Sequence, residues 1–170
     1  VTRSPLYAHF TDWPAHEWRW PHFTAAEMAC KGDGSVMLDF DALDRLEILR
    51  NHLRAPFMIL SAYRSPEYNA RVGGAPLSQH MQGRAFDVNM TGHDPREFVN
   101  AARHFGFHGI GQYPEQNFVH IDTRPDPAAW TIPAGSDWPI FEDEAVAELR
   151  MVSRRVGGRY VTHPRHDAPT

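Results

Sequence analysis

Cysteine is nearly missing from this chain: Cys30 stands alone among 170 residues. That excludes an internal disulfide framework and a thiolate-rich zinc site, so any bound metal must be held by histidines and carboxylates. An excess of positive charge is missing as well, with 17 Lys and Arg against 21 Asp and Glu for a formal charge of −4. Non-specific nucleic-acid affinity comes from clustered Lys and Arg, so nucleic acid is not the expected partner. No apolar run approaches the ~20 residues a membrane-spanning helix requires, and no membrane span is expected. The chain opens at Val1 with no basic stretch leading into an apolar one. A secretion leader is therefore expected to be absent or already removed.

What is present suits one compact domain. A chain of this length can bury about two-thirds of the surface its unfolded form exposes, without a disulfide or a structural metal. Residues 1–22, with Trp13, Trp18 and Trp20 and no clear period, read as an irregular aromatic arm packed on the domain. Thr24 followed by Glu27 is a capping box opening a short helix through Cys30. Phe40, Leu43, Leu46, Leu49 and Leu53 recur at three- and four-residue steps, which predicts a helix over 38–53 with Asp39 as its cap. PFMILSAY (56–63) reads as a strand, 64–74 as a loop or short helix, 78–83 as a loop and 85–90 as a strand. Asp94 before Pro95 starts a helix through His104. A short strand is bracketed by Gly106, Gly109 and Gly111, and another spans 117–122. Residues 125–139 read as a Pro-rich connector, 142–156 as a final amphipathic helix and 157–170 as a tail. The expected fold is α+β, a small antiparallel sheet with flanking helices. The domain itself is expected to span 23–156, between the arm and the tail.

Chemistry concentrates in two stretches, SQHMQGRAFD (78–87) and FVHIDTR (118–124). They offer His80, Asp87 and His120. Catalytic zinc takes three protein ligands of this kind and keeps a fourth position for water. Such a metal acidifies the water and polarises a carbonyl, which suits amide hydrolysis. Strand alternation puts Phe118, His120 and Asp122 on one face, so Asp122 points to the same side as His120.

Ser78, His80, Gly83, Ala85 and Asp87 spell SxHxxGxAxD, which resembles the first zinc motif of the peptidase M15 group: D-alanyl-D-alanine carboxypeptidases, murein endopeptidases and phage endolysins. ILSAYRSPEYNARVGGAPLSQH (59–80) and GIGQYPEQNFVHIDTR (109–124) resemble its M15A branch, and the likeness runs from about Phe23 to Trp130. The resemblance implies the zinc-peptidase fold shared with hedgehog-like and lysostaphin-like domains. It implies Zn2+ on His80, Asp87 and His120. It implies that Arg64 holds a substrate carboxylate or helps to polarise the scissile carbonyl, and that Ser78 lines the substrate cleft. The substrate it implies is peptidoglycan, at stem peptides or cross-links, which sets the work in the periplasm, at the cell wall outside the cell, or in a phage-delivered lysin. Monomer is the default state.

Many members of that group place an acidic general base three residues before the last histidine, where this chain has Asn117. An amide cannot take that proton. Asp122 and Glu115 are the candidate substitutes, and Asp122 has a second reading as the group that orients His120 or pairs with Arg124. Tyr113 either binds substrate by stabilising an oxyanion or simply closes the sheet. The remaining histidines, such as His9, His22 and His108, are read as surface or core residues. The tryptophans of the arm are read as packing anchors rather than glycan platforms, and Cys30 as a small buried hydrophobe. Two rival functions stay open: a DD-carboxypeptidase that trims terminal D-Ala, and a catalytically inactive wall-binding or virion module that keeps its zinc.

Overall fold

In the computed structural model the described residues are 2–132, together with the backbone of 151–156 and 159–164. The chain divides into two compact units, Val1–Asn89 and Met90–Thr170. The fold is α+β.

The first unit is built on its longest helix. Thr24 and Glu27 close the expected capping box around α1 (Ala25–Met28). Helix α2 (Phe40–Leu53) is capped by Asp39, whose carboxylate accepts from the Ala42 amide, and it ends where Arg54 turns left-handed. Its predicted stripe is the buried one: Leu43, Leu46 and Leu49 are fully enclosed, each worth about 1.5–3 kcal/mol of apolar burial. Across from them the arm does what its aromatics suggest. Tyr7 and Val36 form an antiparallel bridge. Trp20 stacks on Phe40 with centroids 5.9 Å apart, while its indole N–H donates to Asp44 at 2.7 Å. Trp13 and Trp20 are buried, so the arm contributes these two rings to the unit's core. Cys30 is buried too, with its sulfur against the Ser65 hydroxyl at 3.6 Å.

Strand β1 (Ile59–Ser61) pairs antiparallel with β2 (Ala85–Asn89), and a register shift sets Ser61 opposite Asp87. Between them α3 (Pro66–Arg71) is capped by Ser65, and a 3-10 turn over Gln79–Gln82 is capped by Ser78 and closed by Gly83. The stretch read as a loop at 78–83 is thus a helical turn.

In the second unit α4 (Pro95–His104) starts from Asp94, whose carboxylate accepts from the amides of Arg96 and Glu97, with Pro95 in the first turn. Phe98, Val99 and Ala102 of its apolar face are buried, as are Ile110, Val119 and Ile121 of the strands that follow. Strand β3 (Gly109–Tyr113) pairs antiparallel with β4 (Phe118–Asp122) in the register Gly109↔Asp122, Gly111↔His120 and Tyr113↔Phe118.

Three expectations need correction here. The segment read as a connector contains β5 (Ala128–Thr131), which runs parallel to β3 with Gly111 opposite Trp130, so this sheet is not wholly antiparallel. The segment read as a final helix ends in a strand, β6 (Met151–Val156), and the segment read as a tail contains β7 (Arg159–Pro164). These two pair antiparallel with Val156 opposite Arg159. The boundary expected after residue 156 therefore falls between two paired strands. The signal was there, since Val152, Val156, Tyr160, Val161 and Thr162 favour strands and the intervening Gly157-Gly158 has the composition of a tight hairpin connection. The rest of the predicted helix, 142–150, and residues 133–139 lie outside the described residues.

Candidate metal centre

His80 sits in the 3-10 turn, where the Ser78 hydroxyl accepts from the His80 amide at 3.3 Å. Its Nδ1 lies 2.6 Å from the Ala62 carbonyl. A carbonyl can only accept, so Nδ1 carries the proton and the lone pair belongs to Nε2. That Nε2 faces Asp87 Oδ1 at 3.2 Å. Two acceptors turned towards each other in a buried place call for a positive charge shared between them, either a proton or a metal ion.

Asp87 is in turn held from behind. The Arg64 guanidinium donates through Nη2 to Asp87 Oδ2 at 2.8 Å and through Nε to the Ser61 hydroxyl at 2.9 Å. The β1–β2 register that sets Ser61 opposite Asp87 makes this clamp possible. Arg64 is thus occupied on two of its three nitrogens, with Nη1 making no hydrogen bond among the described residues.

His120 lies in the middle of β4. Its Nε2 donates to Asp122 Oδ2 at 2.8 Å, which makes Nδ1 the nitrogen suited to ligate. Asp122 is completely enclosed and both of its oxygens are taken. Oδ1 accepts from the backbone N–H of Arg124 at 3.0 Å and from its Nε at 2.8 Å, and Oδ2 accepts from Arg124 Nη2 at 2.6 Å. Burial by itself would raise the pKa of Asp122. The hydrogen bonds from Arg124 and His120, with their charges, outweigh it and hold the carboxyl well below the usual carboxylate range. A carboxylate so engaged orients an imidazole; it is not poised to accept a proton. Of the two readings of Asp122, this geometry is that of the orienting group.

The ligand atoms of His80, Asp87 and His120 all lie within 4.8 Å of one another, and all three residues are buried. No other set of three or more His, Cys, Asp or Glu side chains among the described residues has that property. Two imidazoles and a carboxylate are the donor types of a catalytic zinc site, and each imidazole has its second nitrogen fixed by an oxygen acceptor, which sets its tautomer and ring angle. The residues present therefore fit a zinc ion.

The other expected site residues fall as follows. Ser78 caps the turn that carries His80. Tyr113 stacks on Phe118 with centroids 4.3 Å apart and accepts a hydrogen bond from the Trp130 indole at 2.9 Å. Glu115 is exposed in a 3-10 turn over Pro114–Gln116. Asn117 closes that turn with φ 53° and donates to the Thr91 hydroxyl at 3.1 Å. Asn tolerates a left-handed backbone better than most residues, which accounts physically for an amide at this position.

Two features escaped the sequence. Trp130 packs against His120 with ring centroids 5.2 Å apart, and nothing in a segment resembling a connector marks it. Gly109, noted only as a strand boundary, is required by the site: a Cβ there would lie 2.2 Å from Asp122 Oδ1. Gly109→Ala is expected to displace the carboxylate that holds His120. That should cost about 1–3 kcal/mol as an overpacking change and weaken any metal binding at the cluster with it, as thermal unfolding and chelator competition would read.

Residues 21–122 match the family model of peptidase M15, and the chain belongs to that family. It is 38% identical over 91 residues to the peptidoglycan L,D-endopeptidase MepK of Escherichia coli (strain K12), covering 51% of this chain and 50% of that protein. The same figures hold for the protein of that name from Shigella flexneri. The probable peptidoglycan L,D-endopeptidase MepK of Haemophilus influenzae is 34% identical over 82 residues, covering 45% of this chain and 42% of that one. The chain thus spans about half the length of these relatives or a little less. Among the described residues no helix is long and apolar enough to cross a membrane.

Proposed function

We propose that the chain is a zinc-dependent endopeptidase that hydrolyses peptide bonds of bacterial peptidoglycan, with His80, Asp87 and His120 as its metal ligands. The observation that carries this reading is the convergence of those three ligand atoms within 4.8 Å in a chain of the M15 family. The relatives' name, L,D-endopeptidase, supports cleavage between an L and a D centre within a stem peptide or cross-link over removal of a terminal D-Ala. Such a substrate sets the work in the cell wall.

Zinc bound by these residues would supply an acidified water and a Lewis acid for the scissile carbonyl. The chain's own side chains do the rest. The Ala62 carbonyl and the Asp122 carboxylate hold the two imidazoles in the ligating tautomers. Arg64 fixes Asp87 and brings a cation that no other acid neutralises among the described residues, its Nη1 edge suited to a substrate oxygen on which charge develops. Tyr113 and Ser78 line the cleft. With both oxygens of Asp122 engaged, Glu115, which solvent reaches, is the carboxylate assigned to proton transfer.

The test is dye release from purified sacculi with mass spectrometry of the soluble products, comparing wild type with His80→Ala and Glu115→Gln. Wild type should release peptides newly cut at an L,D bond, His80→Ala none, and Glu115→Gln should turn over more slowly with little change in KM. Equal binding to sacculi with no release by wild type would leave a wall-binding module instead of an enzyme.

A further inference from the structure

His120 and Trp130 belong to strands that do not neighbour each other. Both are paired with Gly111, His120 from β4 and Trp130 from β5. With strands about 4.8 Å apart, two residues on either side of a third strand are separated by nearly 10 Å at the backbone, yet their rings approach to 5.2 Å between centroids. They meet over Gly111 because it has no side chain: a Cβ there would lie 2.4 Å from the Trp130 indole. The indole is also fixed on its other sides. Its Nε1 donates to the Tyr113 hydroxyl at 2.9 Å, and the Arg124 guanidinium carbon lies 5.1 Å from its ring centroid. That guanidinium is the one that grips Asp122, and Asp122 grips His120. His120, Asp122, Arg124 and Trp130 therefore close a ring of contacts in which each member restrains the next.

We infer that Trp130 is a positioning residue for the metal centre: seated over Gly111 between the His120 imidazole and the Arg124 guanidinium, it fixes the ring angle at which His120 ligates. A hydrogen bond alone leaves an imidazole able to rock about the N–H···O axis. The indole ring, tilted at 44° to the imidazole, removes that freedom, and the Tyr113 bond removes the indole's own. The inference rests on the proposed zinc-peptidase reading for the identity of the ion, and on the contacts alone for the restraint of His120.

Three variants, Trp130→Leu, Trp130→Phe and Gly111→Ala, would be measured in two ways. Zinc dissociation constants come from competition with a chromophoric chelator, and the side-chain order of His120 comes from 13C relaxation at Cε1 in the zinc-free protein. Trp130→Leu is expected to weaken zinc binding by about 10–100-fold, the range for partners that orient a ligating histidine, and to raise the mobility of the imidazole. Trp130→Phe restores a ring face without the N–H and should recover most of the affinity. Gly111→Ala pushes the indole away and should resemble the leucine variant. A packing role without positioning would lower thermal stability and leave zinc affinity and ring order as in wild type, and that result overturns the inference. Should the leucine variant fail to fold, the phenylalanine and alanine variants carry the same test. If wild type itself binds no zinc, the proposed function falls, and the His120 order measurement still decides the role of Trp130.

Discussion

Replacing His120 with alanine is expected to abolish hydrolysis of sacculi and to weaken zinc binding by more than the ~100-fold typical for residues that merely orient a ligand. The reason is geometric. Only three His, Cys, Asp or Glu side chains bring ligand atoms together here among the described residues, so losing one leaves two donors, too few to hold a catalytic zinc. The same substitution makes a thermodynamic readout available. A ligand that binds only the folded chain stabilises it by about 2.7 kcal/mol at a hundred times its dissociation constant. Wild type should therefore melt higher with zinc than after chelation, and His120→Ala should melt at one temperature under both conditions. Asp87→Ala should behave in the same way, with a further penalty because Arg64 loses the partner it holds at 2.8 Å.

The second large effect is expected at Asp122. Asp122→Ala strips an enclosed acid from a partly exposed Arg124, and leaving that charge without its partner is expected to cost about 3 kcal/mol, the lower end of the range for fully buried pairs. In a chain of this size that is a fall in melting temperature on the order of 10 °C. Zinc affinity should fall too, by about 10–100-fold, since His120 loses the acceptor that fixes its tautomer. The pH dependence has a definite sign. The folded-state pKa of Asp122 is depressed from its ordinary 3.8, so the stability it contributes is present in full above that ordinary value and is lost as the pH falls towards the depressed one. Asp122→Asn should therefore flatten the acid limb of the stability profile. A proton acceptor at this position would instead give an enzyme that keeps its zinc affinity and loses only turnover.

Some of this was legible from residues alone. The α2 stripe was, because one face of a long helix repeats often enough to be read: Leu43, Leu46 and Leu49 of it are buried, while Phe40 and Leu53 at its ends are half-buried. The candidate trio His80, Asp87 and His120 was legible because two short motifs carry it, and the structure brings its ligand atoms within 4.8 Å of one another. Beyond that, legibility ended where a contact depends on which strands lie side by side. β5 is only four residues long, AAWT, behind Pro125 and Pro127, and its parallel pairing with β3 is non-local, so the meeting of Trp130 with His120 over Gly111 left no local trace. Asp122 is an intermediate case. Alternation along β4 placed it on the side of His120, but its role turned on the two-pronged grip of Arg124 and on the missing side chain of Gly109. The resemblance gave Arg64 a substrate-facing role, and no motif encodes that two of its nitrogens also grip Asp87 and Ser61, a consequence of the β1–β2 register. The β6–β7 hairpin was signalled by Gly157-Gly158 between β-branched residues, a pattern outweighed by the run of acids and alanines before it that favours a helix.

The most direct test of the metal centre is a crystal structure of protein grown with zinc, with anomalous diffraction recorded on both sides of the zinc absorption edge. An anomalous peak bonded to one nitrogen each of His80 and His120 and to Asp87, at about 2.0–2.2 Å, with a water as the remaining ligand, is the expected result. No peak there, or a peak whose fourth ligand is another protein side chain, would contradict a catalytic metal at this site.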